Sequence, residues 1–221
     1  MAKRQLILND YQTAVDGLWT LSSCKITKAT QVQSFVSVPG RFSPLDLSTA
    51  STDGVPYYGN AKLEAVLESS EGTRAERQER IEQMTNLLDG YSVKIIHPDH
   101  PERYLVGRVT VNKQYNDLVH CAVKVTATCE PWLYNAEETV ITEDATSTEQ
   151  IVELTNSGRL AMAPKVNVYE AATIAYGDFT QTLSSGTYYL PDLFLTPGTH
   201  EVVLSGSGTV SFTYREAVLA E

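Results

Sequence analysis

Gly72-Thr-Arg-Ala-Glu-Arg-Gln-Glu-Arg-Ile-Glu-Gln-Met-Thr-Asn-Leu-Leu-Asp-Gly90 carries the helical period of a chain that otherwise alternates like β-structure. Thr73 and Glu76 stand three apart, the spacing at which a hydroxyl and a carboxylate satisfy each other's orphan N–H groups. Gly90 is suited to closing the helix. The expectation is one helix over Arg74 to Leu88, with Ile81, Met84 and Leu88 on a packing stripe. Arg74, Glu76, Arg77, Glu79, Arg80 and Glu82 occupy the other faces, which meet water or a partner.

Working outward, Leu63, Ala65 and Leu67 alternate with Glu64, Val66 and Glu68, which reads as a half-buried strand. After the helix, Val93 to Ile96 runs into His97-Pro-Asp-His-Pro101 and Tyr104 to Val111 runs back, the pattern of a hairpin with a stiff turn. Val119, Cys121, Val123, Val125, Ala127 and Cys129 then share one face of a long strand. Glu130-Pro131-Trp132 is expected to end it, with Trp132 capping the core. Upstream, Gln5 to Leu8 and Leu18 to Lys28 read as strands joined near Asp16-Gly17, and Pro39 to Gly59 as a long loop of the kind that is functional or mobile.

The second half has no helical period. Ala136 to Glu149 is polar and acidic and reads as a linker. Segments 151–155, 166–169, 179–183, 188–195, 201–204 and 209–214 are strand-like and punctuated by Gly and Ser, which predicts a β-sandwich. The fold class expected is mainly β with one principal helix, in two domains, 1–135 and 136–221. Whether residues 215–219 return to the first domain as a last strand is open.

Net charge is −10. The first 135 residues hold 14 basic and 15 acidic side chains, and the remainder 3 and 12, so the second domain is strongly acidic. That sign argues against a nucleic-acid grip, which needs clustered Lys and Arg. No stretch approaches the roughly 20 apolar residues of a membrane span. Leu6-Ile7-Leu8 is too brief for a signal-peptide core, so synthesis and assembly in a cytoplasm are expected. Cys121 and Cys129 lie about 27 Å apart on one strand at roughly 3.4 Å per residue and cannot bridge each other; with Cys24 they read as free apolar fillers.

Enzyme chemistry finds little to stand on. His97, Asp99 and His100 are metal-ligand types, but two prolines make the segment a rigid turn without further ligands nearby. His120 and Cys121 point to opposite faces of a strand. Glu137-Glu138 and Glu143-Asp144 are neighbours in a linker rather than acids facing across a cleft. No nucleophile elbow, zinc-protease motif or phosphate-binding glycine loop is present, and no cofactor is expected. Tyr169, Tyr176, Phe179, Tyr188, Tyr189, Phe194, Phe212 and Tyr214 fit strand positions and are assigned mainly to the core of the second domain, with a sugar-binding groove as the alternative.

Taken together, Asn86-Leu-Leu-Asp-Gly90, the strand 93–96, Asp99 with Arg103-Tyr-Leu-Val-Gly107-Arg-Val, and Glu130-Pro131-Trp132 resemble the distal tail protein (Dit) family of bacteriophages with long non-contractile tails. Asn156-Ser-Gly158 with Ala163-Pro164-Lys-Val166, and Gly198-Thr-His-Glu-Val202 with Gly206 to Arg215 as a closing hairpin, extend the resemblance over nearly the whole chain. The resemblance implies an N-terminal split-barrel-like domain that assembles into a ring, usually a hexamer, below the tail tube. It also implies a galectin-like or carbohydrate-module-like C-terminal sandwich. Implied partners are further copies of the chain, the tail tube protein, tail-tip or tail-associated proteins and the tape-measure protein, with DNA passing through the ring. The work is structural, at the tip of the virion tail. Arg74, Glu76, Arg77 and Arg80 of the helix, with Arg41, Tyr57 and Tyr58 around the long loop, are the candidate subunit interface. A second reading is a carbohydrate-binding virion or cell-surface module.

Overall fold

A computed structural model describes residues 4–50 and 56–221, so Lys3 and the centre of the 39–59 loop lie outside the described residues. The chain divides into two compact units, Met1–Leu133 with Leu219–Glu221, and Tyr134–Val218. The second unit is therefore inserted in the chain of the first.

The first unit contains β1 (Ile7–Leu8), β2 (Tyr11–Gln12), β3 (Thr20–Thr27), β4 (Phe35–Val36), β5 (Leu45–Asp46), β6 (Ala61–Ser69), α1 (Arg74–Leu88), β7 (Ser92–Ile96), β8 (Arg103–Asn116) and β9 (Cys121–Asn135). Its main sheet has the order β2-β1-β7-β8-β9-β6-β3 and curls into a half-barrel. Cys24, on the strand at one end, lies within electrostatic reach of Arg4 and Asp99 at the other. Alternation drives this architecture: Ala61, Leu63, Ala65 and Leu67 are buried, while Lys62, Glu64 and Glu68 between them are exposed. They pair in register with Cys129, Ala127, Val125 and Val123, which are buried on the same face.

Helix α1 packs on β8 and has the expected start. Thr73 Oγ1 accepts from Glu76 N, and Glu76 Oε2 accepts from Thr73 N at 2.6 Å, a reciprocal capping box. Gly90 (φ +79°) follows its end and donates its N–H to Val109 of β8. Gly107 permits the close approach of β8 to β9, because a Cβ there would meet Cys129 Sγ at 2.5 Å.

Four local expectations are corrected in this unit. Arg77 lies on the buried stripe with Ile81, Met84 and Leu88, one helical turn before Ile81. Pro131 does not end β9: the ladder with β6 finishes at Cys129, so the missing N–H is not needed, and the Pro131 carbonyl accepts from Ala220 N instead. Val119 is exposed and precedes β9. The 39–59 loop contributes β5, which pairs with β4 in a two-stranded hairpin.

The second unit contains β10 (Thr139–Asp144), β11 (Gln150–Asn156), β12 (Lys165–Val168), β13 (Ala171–Tyr176), β14 (Phe179–Leu183), β15 (Gly186–Tyr189), β16 (Gly198–Ser207) and β17 (Thr209–Tyr214), followed by β18 (Ala217–Leu219), which pairs with β9. Two four-stranded sheets, β10-β17-β12-β15 and β11-β16-β13-β14, enclose one core that includes Val152, Leu154, Val166, Ile174, Leu204 and Phe212. This is a β-sandwich. The expected linker contains an edge strand, β10, whose acidic and threonine side chains an edge position tolerates. The 198–215 segment is not a hairpin, since β16 and β17 belong to different sheets. The chain turns that corner through Gly208 (φ +74°), whose carbonyl accepts from Ala145 N at the parallel corner between β10 and β11. Of the aromatic set, Phe212 and Tyr214 are buried and Tyr176, Phe179 and Tyr188 pack against the core, but Tyr169, Tyr189 and Phe194 are exposed.

Asn156-Ser-Gly158 acquires a structural meaning. Asn156, buried, donates from Nδ2 to the carbonyls of Leu160 and Leu195 and accepts Gly158 N at Oδ1. Gly158 lies so close to Ala217 that a Cβ would meet its carbonyl oxygen at 2.5 Å. Arg159 N and Leu160 N both donate to that oxygen, and Ser157 N donates to Glu216 Oε1. The motif clamps the chain where it leaves the sandwich.

Candidate functional site

The first unit carries an arm, described over residues 31–50 and 56–58. Its root is closed by Val32 N donating to Tyr57 O and Gly59 N donating to Thr30 O, so the chain leaves and returns at one point. Tyr58, half-buried, packs edge-on against Trp132 with ring centroids 5.9 Å apart. Beyond the root every residue from Gln31 to Pro44 is exposed. Hydrogen bonds brace the arm: Leu47 N to Ser34 O, Ser34 N to Ser48 Oγ, and Ser48 N to Asp46 Oδ1; the Ser48 hydroxyl and then its backbone N–H hold the Asp46 carboxyl below its usual range. Burial does not, because Val32, Phe35, Val36, Val38, Leu47 and Tyr57 all face solvent and Phe42 is wholly exposed. A two-stranded hairpin with two residues in each strand is not stable in water by itself.

Near its tip the arm folds around a small depression of about 100 Å³, lined by Ser37, Val38, Arg41, Phe42, Ser43 and Pro44. Arg41 is exposed there; its backbone N–H donates to Val38 O, and its guanidinium makes no hydrogen bond or ion pair among the described residues. The arm was legible as a long loop. Its apolar content was not, because Phe42 sits between Pro39-Gly40 and Pro44 with no period to assign it a face.

The helix residues of the candidate interface divide. Arg77 is 1% exposed; it donates to Gly72 O at 2.5 Å, Asp117 O at 2.9 Å and Asn116 Oδ1 at 3.4 Å. Its charge is used inside the unit, so Arg77 is withdrawn as a surface contact. Arg74 is exposed, and its carbonyl accepts from Asn116 Nδ2 at 3.0 Å. Arg80 reaches Glu71 O and is half-buried. Glu76 spends its carboxylate on Thr73, whose backbone N–H and hydroxyl hold the carboxyl below its usual range.

Sequence reasoning missed the turn between β8 and β9. Asp117 Oδ1 accepts from His120 N at 2.7 Å and Val119 N at 2.8 Å, bonds that hold its carboxyl below the usual carboxylate range. Asp117 N donates to His120 O. The turn is rigid, and it displays Leu118 (85% exposed) and Val119 to solvent. Asn116-Asp117, a turn-forming pair, was the available signal.

The 97–100 segment is a structural turn. His97 is buried, its Nδ1 accepts from Asp99 N at 3.2 Å, and Arg4 Nη2 donates to both carboxylate oxygens of Asp99, at 2.8 and 2.7 Å. Among the described residues no group of three or more His, Cys, Asp or Glu is placed to hold a metal ion. Cys24, Cys121 and Cys129 are free thiols, and burial pushes Cys24 and Cys129 up to about 11, away from nucleophilic reactivity. Among the described residues no helix is long and apolar enough to cross a membrane.

No family model and no curated protein matches the chain. Among solved structures the chain is similar to the crystal structure of SPP1 Dit, described as a paradigm of the hub adsorption apparatus in phages that infect Gram-positive bacteria. The likeness covers 96% of this chain and 98% of that one, with a TM-score of 0.65 and 14% identity. Over its whole length, therefore, the chain has a Dit-like fold.

Proposed function

We propose that this protein is a structural component of a phage tail. Copies of it assemble into a ring, most simply a hexamer, at the distal end of the tail tube. The ring joins the tube to tail-tip or baseplate proteins and leaves a passage for DNA. Its partners are further copies of itself, the tail tube protein and a tail-associated protein, with the tape-measure protein as a further contact, and its work is mechanical rather than catalytic. The observation that carries this reading is the arm: a hairpin with seven exposed large apolar residues, uncovered by its own unit, on a chain whose fold matches a phage hub protein from end to end. Exposed apolar surface of this kind marks a protein interface.

Light scattering at micromolar concentration, with negative-stain images, tests it. The expected result is a closed oligomer of defined mass with a central opening. A strict monomer that forms no rings even when tail tube and tail-tip proteins are supplied would sink the reading.

A further inference from the structure

The arm needs a surface to cover it, and the first unit itself offers a surface of matching character. The β8–β9 turn is a convex apolar knob: Leu118 and Val119 stand outside a turn whose polar groups are bonded beneath them. Arg77 fastens that turn to α1 through the Asp117 carbonyl, and Asn116 fastens it again through the Arg74 carbonyl. Such a tip has little freedom left to lose on docking. The arm depression is the concave counterpart. At about 100 Å³ it has room for one branched aliphatic side chain, and Val38, Phe42 and Pro44 supply apolar walls.

Charge distinguishes a second copy from an arbitrary apolar partner. The Arg41 guanidinium lines the depression without a partner among the described residues, and the exposed Asp117 carboxylate lies directly beside Leu118. A tip seated in the depression brings one to the other. Because tip and depression are different surfaces, the contact is head-to-tail, the class that generates rings where the rotation closes. A two-fold dimer would use one patch twice.

We propose that Leu118 of one copy seats in the Val38–Phe42–Pro44 depression on the arm of the next, with Val119 at its rim and Asp117 facing Arg41, and that this contact propagates the ring. The proposal rests on the oligomeric reading above and names the surfaces that make it.

The test is complementation between two full-length variants, L118D and F42D, measured by light scattering. Both side chains are exposed, so circular dichroism and unfolding midpoints stay at the wild-type values. Each variant alone shifts the assembly equilibrium at least tenfold toward monomer. Mixed one to one, the intact depression of L118D receives the intact tip of F42D, and the mixture forms dimers that grow no further because both remaining faces are spoiled. A second pair, L118C and F42C in separate chains, gives a disulfide-linked heterodimer on mild oxidation. If both aspartate variants keep the wild-type mass, or their mixture stays monomeric, or the cysteine chains do not cross-link, the contact is wrong while the ring reading stands. A wild type that stays monomeric even when tail tube and tail-tip proteins are supplied removes both.

Discussion

His97 is the residue whose titration the fold controls most directly. Burial lowers its proton affinity below the ordinary value of 6.5; Asp99 opposes that effect, and His100 and Arg4 reinforce it. The neutral ring uses Nδ1 as an acceptor for Asp99 N–H, which a protonated ring cannot do. Because the folded value lies below the unfolded one, the unfolded chain binds the proton first as pH falls. The stability that His97 contributes is therefore present above 6.5 and lost as the pH drops below it toward the folded value. The depressed carboxylates Asp46, Glu76 and Asp117 act in a separate window: their contribution is present above about pH 4 and lost below it. Urea unfolding should consequently give a lower midpoint at about pH 5.3 than at about pH 7.5, a range set by the histidine reference value. His97→Asn keeps an acceptor for Asp99 N–H and removes the titration. That variant should flatten the pH difference, and an unchanged difference would assign it elsewhere.

At the scale of elements, Arg77 couples α1 to the β8–β9 turn. Its guanidinium bonds to both Asn116 and Asp117, 39 and 40 residues away, and its stem fills the stripe position before Ile81. Arg77→Met keeps much of the volume but leaves carbonyl acceptors unmet, each at a cost of roughly 1–3 kcal/mol if they stay dry. The expected loss in a chemical denaturation experiment is about 2–4 kcal/mol, whereas Glu79→Ala, exposed on the same helix, stays within about 0.5 kcal/mol. A loss that small for Arg77→Met would mean the turn is held by Asn116 and Asp117 alone. This residue also shows where sequence legibility stopped. The cap, the length and the apolar stripe of α1 were readable because each follows from local spacing. Arg77 looked like a surface charge because its acceptors lie some 40 positions downstream, where no periodicity reports them. The same division runs through the sheets. Strands with one buried face, such as β6 and β9, declare themselves by alternation. β10 did not, because it lies at a sheet edge and carries acidic side chains, and neither did β13, whose Ala171 and Ala172 give a weak signal. Of the candidate site, the loop was legible as a loop. The apolar arm and the Leu118–Val119 tip required the pairing that exposes them.

At the scale of the molecule, the chain builds most of one unit, inserts the sandwich, and returns three residues to the first. The return is closely specified. Within the sandwich unit Asn135 N donates to Glu216 O at 3.0 Å, so the two ends of the insertion are neighbours. Within the first unit Ala220 N donates to Pro131 O, Leu219 and Ala220 are buried, and Lys28 pairs with Glu221. Adjacent ends mean that the insertion can be exchanged for a tight turn: replacing residues 136–215 by Asn-Gly converts the paired strands β9 and β18 into a hairpin of favoured geometry. The shortened chain should keep the helical circular dichroism of α1 and unfold in one cooperative transition, since the buried face of β6 and β9 lies in the first unit. Removing 219–221 from it should then lower stability by about 2–3 kcal/mol, the scale of losing one buried leucine and its strand pairing. Because arm and tip both belong to the first unit, the shortened chain should also assemble like the full-length protein. Folding without assembly would place the oligomer contacts in the sandwich and shift the ring interface away from the arm.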